Sequence, residues 1–135
     1  MPSLAIAIAA TTISFLAMDG VWLGVVAQSF YKNNIGHLLT ENYKILPAII
    51  FYCAFMFGIA YFALSPALAA QNWKAAIGPA LVLGFVAYGA YDFTNWAVMR
   101  DWPAIVTFVD VLWGVVATTV AATIGAYAGI RWGLR

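Results

Sequence analysis

Charged side chains are scarce in this sequence: they make up 8% of its residues, where a soluble domain carries about 25%. So few cannot build a water-facing surface, which excludes an ordinary soluble domain. Basic residues are few as well. Six Lys and Arg against five Asp and Glu leave a net charge of +1, and without a basic patch nucleic acid is excluded as a partner. Cysteine is nearly absent. Cys53 alone can form no disulfide or CxxC site within the chain, and with no base beside it in sequence it reads as an inert buried thiol. Histidine is single too. His37 has no HxxxH or ExxH companion, so no metal site is expected, and haem lacks a paired axial arrangement. No phosphate-binding Gly-rich loop and no ordered Ser-His-Asp set occurs. Nothing here names a cofactor.

What the chain has in excess is apolar length. Hydrophobic residues make up 65% of its 135 positions, against about 45–50% in a soluble domain. Four stretches reach the roughly 20 residues that cross a bilayer core: 4–28, 47–64, 75–99 and 103–130. Pro47 suits a first helical turn, and Ser65-Pro66 is expected to stop the second stretch. The opening Met1-Pro2-Ser3 lacks the basic n-region of a secretory signal, and the apolar stretch after it exceeds a signal's h-region. It reads as a retained helix. No strand-like alternation supports a membrane β-barrel. The expectation is an all-α polytopic membrane protein, a four-transmembrane-helix bundle forming one domain over 1–135, with the lipid bilayer as its first partner.

Tyr31, Tyr43, Trp73, Trp102 and Trp132 fall at or just beyond the span ends, where interfacial aromatics gather. The one long connection, Ser29 to Leu46, holds Lys32, His37, Glu41 and Lys44 among apolar residues. It reads either as a short amphipathic surface segment or as a plain loop. His37 reads as a solvated interface residue, unless the loop folds over as a lid. Four spans put both termini on one side, with the loops around His37 and Arg100 on the other. Lys74, Arg131 and Arg135 then balance Lys32, Lys44 and Arg100, so charge bias does not fix the orientation; Arg131 and Arg135 favour cytoplasmic termini. Gly20 and Gly24, and Gly125 and Gly129, form GxxxG pairs, and Ala80 and Gly84 a weaker small-xxx-small pair. Such spacing lets helix backbones approach in lipid, within one chain or between subunits.

Three of the five acids fall inside spans: Asp19, Asp92 and Asp110. Every Lys and Arg lies outside. A mid-membrane carboxylate costs at least about 2.5–3.5 kcal/mol on insertion scales. At about 1.5 Å rise per residue, Asp19 lies about 14 Å from the His37-side end of its span, and Asp92 and Asp110 about 11 Å from theirs. Three helices thus place an acid in one layer. Trp22 follows Asp19 by three positions, Trp113 follows Asp110 by three, and Asn95 and Trp96 follow Asp92 by three and four. Each shares a helix face with its acid. Tyr52 lies at a similar depth on the second span. Together they describe an aromatic pocket with a few convergent polar groups, the usual form of a ligand site. The bland alternative is that each acid hydrogen-bonds a neighbouring helix and only holds the bundle together.

The segments Asp19-Gly20-Val21-Trp22-Leu23-Gly24, Phe51-Tyr52, Ala87 to Asn95, Trp102 and Val109 to Gly114 resemble a bacterial family of predicted membrane proteins, domain of unknown function 2177. Phe93 stands where that family has Leu in its Y-D-L-T-N segment. The resemblance covers nearly the whole chain. It implies four spans, makes the acid trio part of the pattern, points to a multi-pass protein of the bacterial inner membrane and names no substrate.

Three functions stay open. The first is a site for a small apolar or lipid-like molecule. There Asp92 and Asp110, on consecutive helices, would be the catalytic acid–base pair, and Asp19, Trp22, Tyr52, Asn95, Trp96 and Trp113 would bind the ligand. The second is an accessory subunit of a larger membrane complex. The third is a small proton-coupled carrier working as a homo-oligomer, although acids off the midplane fit that poorly. Nothing in the sequence decides whether the protein is an enzyme.

Overall fold

The computed structural model describes residues 2–133; Met1 and Arg135, which entered the readings of the amino terminus and of orientation, lie outside them. Helix α1 (Pro2–Val21) runs into a π-helical turn at Trp22–Val26 and then into α2 (Gln28–Ile35). A 3₁₀ turn at Gly36–Leu38 and an irregular stretch lead to α3 (Ile45–Ile59), a second π turn (Ala60–Leu64) and α4 (Ser65–Ala69). A 3₁₀ turn at Trp73–Ala76 opens α5 (Ile77–Val98), and α6 (Ala104–Trp132) follows. Four runs are long and apolar enough to cross a membrane: Ser3–Val26, Ile45–Ala69, Trp73–Val98 and Ala104–Trp132. The protein is an all-α, multi-pass membrane bundle, and no strand occurs among the described residues.

The second span does not stop at Ser65-Pro66, as the sequence suggested. Proline breaks an α-helix because it lacks a donor and its ring crowds the carbonyl four residues back. Here the wider π turn comes just before it, and Pro66 opens α4, where its missing donor is an orphan in any case. The helix continues one turn and reverses at Gln71, whose φ of 50° is left-handed. Asn72 then accepts the Lys74 amide at 3.1 Å and starts the next span.

Helix α6 is the axis along which both α1 and α5 pack. Its seam is built of small residues: Gly114, Ala117, Ala121, Ala122, Gly125, Ala126 and Gly129 are all buried. Lipid supplies no hydrophobic force between helices, so close backbone approach and dispersion hold them together. A Cβ on Gly125 would run into the Thr11 hydroxyl and lie 2.6 Å from the Ala7 carbonyl, and one on Gly129 would lie 2.7 Å from the Ser3 carbonyl. Thr11 folds its hydroxyl back onto the Ala7 carbonyl at 2.8 Å, so this buried hydroxyl is satisfied within its own helix. On the other side a Cβ on Gly84 would lie 2.8 Å from the Gly114 carbonyl. The Gly125/Gly129 and Ala80/Gly84 pairs therefore mark contacts within the chain. Gly20 and Gly24 do not, since nothing within 4 Å faces either.

The second span is fastened at one half only. Ile59, Ala60, Ala63, Leu64 and Ala67 are buried, while Ile45 to Cys53 are exposed apart from half-buried Tyr52. Alanines let the later half close in. Bulky rings keep the earlier half out: Phe15 meets Tyr52 at 6.1 Å and Phe55 at 5.8 Å between centroids, and Phe55 meets Tyr88 at 6.4 Å. Cys53 is exposed rather than buried, because it lines an open groove between α1 and α3, beside Thr12 and Leu16.

The connection after the first span is helical. Ile35 of α2 buries itself against Trp102 and Val106, with Phe30 and Tyr31 packed alongside. Trp102 is therefore an internal brace and not an exposed interfacial ring. Its indole donates to the Thr107 hydroxyl at 2.9 Å, which in turn donates to the Asp92 backbone carbonyl at 3.1 Å. Tyr43 and Trp132 remain exposed near the ends of their spans.

Overpacking a close helix contact typically costs about 1–3 kcal/mol. Gly125→Ala is expected to lower stability by about that amount, whereas Gly20→Ala, on an open face, should leave it unchanged or slightly raise it. Denaturant titration of the two purified variants against wild type in one detergent measures the difference.

Candidate functional site

The half-detached second span leaves a cavity of about 1170 Å³ between α3 and the other three spans, roofed by α2 and the segment after it. Its wall includes Asp19 and Trp22 from the first span, Tyr31 from α2, Phe51 and Tyr52 from α3, Tyr88, Tyr91 and Asp92 from α5, and Asp110 and Trp113 from α6. Lys32 and Glu41, both exposed, stand at its rim. Six residues that helical spacing singled out thus converge: Asp19, Trp22, Tyr52, Asp92, Asp110 and Trp113.

Asn95 and Trp96 do not line it. Asp92 sits where α5 meets α6, so the residue one turn later on that seam continues along α6 and away from the cavity. Trp96 accordingly packs on Phe108, 5.9 Å between centroids, and is 43% exposed. Asn95 is half-buried beside Tyr91, outside the cavity wall. His37 is exposed and also lies off the wall.

Three tyrosines were missed. Tyr88 stands four residues before Asp92, a helical spacing that carried the signal, and Tyr91 is Asp92's neighbour in the chain. Tyr31 had no such signal, because it sits in the connection and reads there as an interfacial ring. The π turn brings it in. The Ala27 amide bonds the Trp22 carbonyl five residues back at 2.7 Å, and Ala27 leaves the helical region with φ −111° and ψ 5°. Helix α2 thereby departs from the α1 axis and lays Tyr31 over the acids.

The polar groups form one connected set. Asp19 accepts from the Tyr52 hydroxyl and from the Trp113 indole, both at 3.2 Å. Trp113 stacks on Trp22 at 4.5 Å with the planes 4° apart. The Trp22 indole donates to the Tyr31 hydroxyl at 3.0 Å, and that hydroxyl donates to Asp110 at 2.5 Å. Parallel ring pairs of this kind are worth more than their buried area alone.

Asp92 is the exception. It is fully buried, and neither of its carboxyl oxygens has a donor. The polar side chain within its reach is the Asp110 carboxyl. Two carboxylates are acceptors only, so they bond each other only when a proton lies between them. A buried acceptor left without a donor costs about 1–3 kcal/mol, more when charged. No three of His, Cys, Asp and Glu gather in a metal-holding group among the described residues.

A family model described as "Predicted membrane protein (DUF2177)" matches residues 4–127, a stretch that holds every residue of the cavity wall. No curated protein and no solved structure matches the chain.

Tyr31 lies outside the membrane spans, and its phenol is pushed above the usual tyrosine range, first by burial and then by its bond to Asp110. Its donated bond is therefore complete below the ordinary tyrosine value of about 10. Above that, a Tyr31 released from the site would ionise first, so the bond's contribution is lost as pH rises through the folded value. Wild type and Tyr31→Phe should show the same phenolate absorbance up to about pH 10–11. A difference spectrum appearing near pH 10 would mean that Tyr31 is solvated.

Proposed function

The chain belongs to the DUF2177 family of predicted membrane proteins, and within that frame we propose that the cavity binds a small apolar or lipid-like molecule. Such a molecule enters from the bilayer past the free half of the second span and sets its polar end in the aspartate layer. The single observation that carries this reading is a buried carboxyl without a donor, Asp92, on the wall of a cavity of about 1170 Å³. Small-molecule sites run to about 300–1,000 Å³, mostly apolar with a few placed polar groups. Intramembrane acids usually mark such sites.

The chemistry within reach is proton transfer. Two adjoining carboxyls hold one proton between them, so one serves as donor to a bound group and the other as acceptor from it. Asp92 and Asp110 are that pair. Asp19 is held in place by Tyr52 and Trp113, and Trp22 and Trp113 form an aromatic wall. Asn95 and Trp96 leave the proposed site. We place the protein in the bacterial inner membrane as one unit over 1–135 with cytoplasmic termini, the side that Arg131 favours.

A second reading, an accessory subunit of a larger complex or of a homo-oligomer, has one observation in its favour. Gly20 and Gly24 present an open GxxxG face on the first span, with nothing within 4 Å, of the kind that another helix can approach.

The test is to extract the protein from its native membrane in mild detergent and identify by mass spectrometry what stays bound. A single lipid-like species retained by wild type and lost, about tenfold or more, from Asp92→Asn is expected; a deleted charge-assisted hydrogen bond is worth about that much. Stoichiometric protein partners with no specific small molecule would overturn the site in favour of the subunit.

A further inference from the structure

Given a bilayer-accessible site as proposed above, we infer that the polar end it receives is a primary or secondary ammonium group. The depth of the cavity is rich in acceptors and poor in positive charge. Three carboxyls line it, and the two cations that fall within spans, Lys74 and Arg131, stand at the span ends and not on the cavity wall. The rim residues Lys32 and Glu41 are of opposite sign and set no preference. Tyr52 and Trp113 are engaged on Asp19 and Tyr31 on Asp110, while the Tyr88 and Tyr91 hydroxyls on the same wall bond none of the three carboxyls. Both oxygens of Asp92 remain without one.

An ammonium with N–H groups supplies what is missing, a positive charge and two or three donors. Its place is at the Asp92–Asp110 pair, where it takes over from the Tyr31 hydroxyl on Asp110. The faces of Trp22, Tyr88 and Tyr91 then surround a cation, a contact worth more when water is excluded. An alcohol brings one donor and no charge. A quaternary ammonium brings charge and no N–H, and an anion meets three carboxyls. The order of preference follows: alkylammonium, then alkyltrimethylammonium and alcohol, with alkyl sulfate last.

Isothermal titration calorimetry of the protein in phosphatidylcholine nanodiscs, with empty nanodiscs as reference, reads this order. The probes are decylammonium, decyltrimethylammonium, decanol and decyl sulfate. Decylammonium should bind about tenfold or more tightly than either of the next two. Asp92→Asn and Asp110→Asn should each remove that preference while decanol binding persists. The wild-type ranking decides even where a variant fails to fold. Equal binding of decanol and decylammonium, or a preference for decyl sulfate, overturns the ammonium assignment and leaves the lipid-like site standing. Absence of saturable binding by all four overturns both.

Discussion

Backbone contact along the small-residue face of α6 governs the rest of this structure. In a lipid solvent helices gain nothing by hiding apolar surface from one another, so they stay together where their backbones approach closely enough for dense packing. Gly125 and Gly129 accept α1 at the Ser3 and Ala7 carbonyls, and Gly84 fits against the Gly114 carbonyl of the same helix. With α1 and α5 fixed along α6, the second span is left to pack where it too is small, at Ala60, Ala63 and Ala67. Its other half carries Phe51, Tyr52 and Phe55, whose rings prop it away from Phe15 and Tyr88. The cavity is the space between a glycine- and alanine-lined contact and an aromatic prop.

That geometry decides which acid is satisfied. Asp19 and Asp110 lie where aromatic donors on other elements can reach them, Tyr52 and Trp113 for the one and Tyr31 for the other. Asp92 lies on the α5–α6 seam, where its backbone carbonyl is bonded by Thr107 but its side chain is not bonded at all. With Lys74 and Arg131 at the outer ends of their spans, no cation within a span is placed to balance three carboxyls. Either a proton shared with Asp110 or a donor brought from outside has to do so. The proposed function and the ammonium assignment both follow from this shortage.

Much of this was legible in the sequence, and for a physical reason. Span positions follow from apolar length, and residues three or four apart share a face wherever the helix is regular. That rule brought Asp19, Trp22, Asp110 and Trp113 together correctly. It failed for Trp96 because spacing gives angular position but not which neighbour occupies that angle; at Asp92 the angle belongs to α6. It also failed wherever the helix is irregular. The π turn at Trp22–Val26 throws Tyr31 over the acids, and the one at Ala60–Leu64 carries the second span past Pro66. No periodicity registers a five-residue turn. Cys53 was misjudged for a related reason, since inside and outside are set by how a helix is rotated against its partners.

The most direct measurement is a high-resolution density map of the protein in lipid nanodiscs. Elongated density is expected to enter beside the free half of the second span and to end within hydrogen-bonding distance of the Asp92 and Asp110 carboxyls. A map in which Ile45–Cys53 closes against α1 and α5, leaving Asp92 bonded only within the protein and no space beside it, would contradict it.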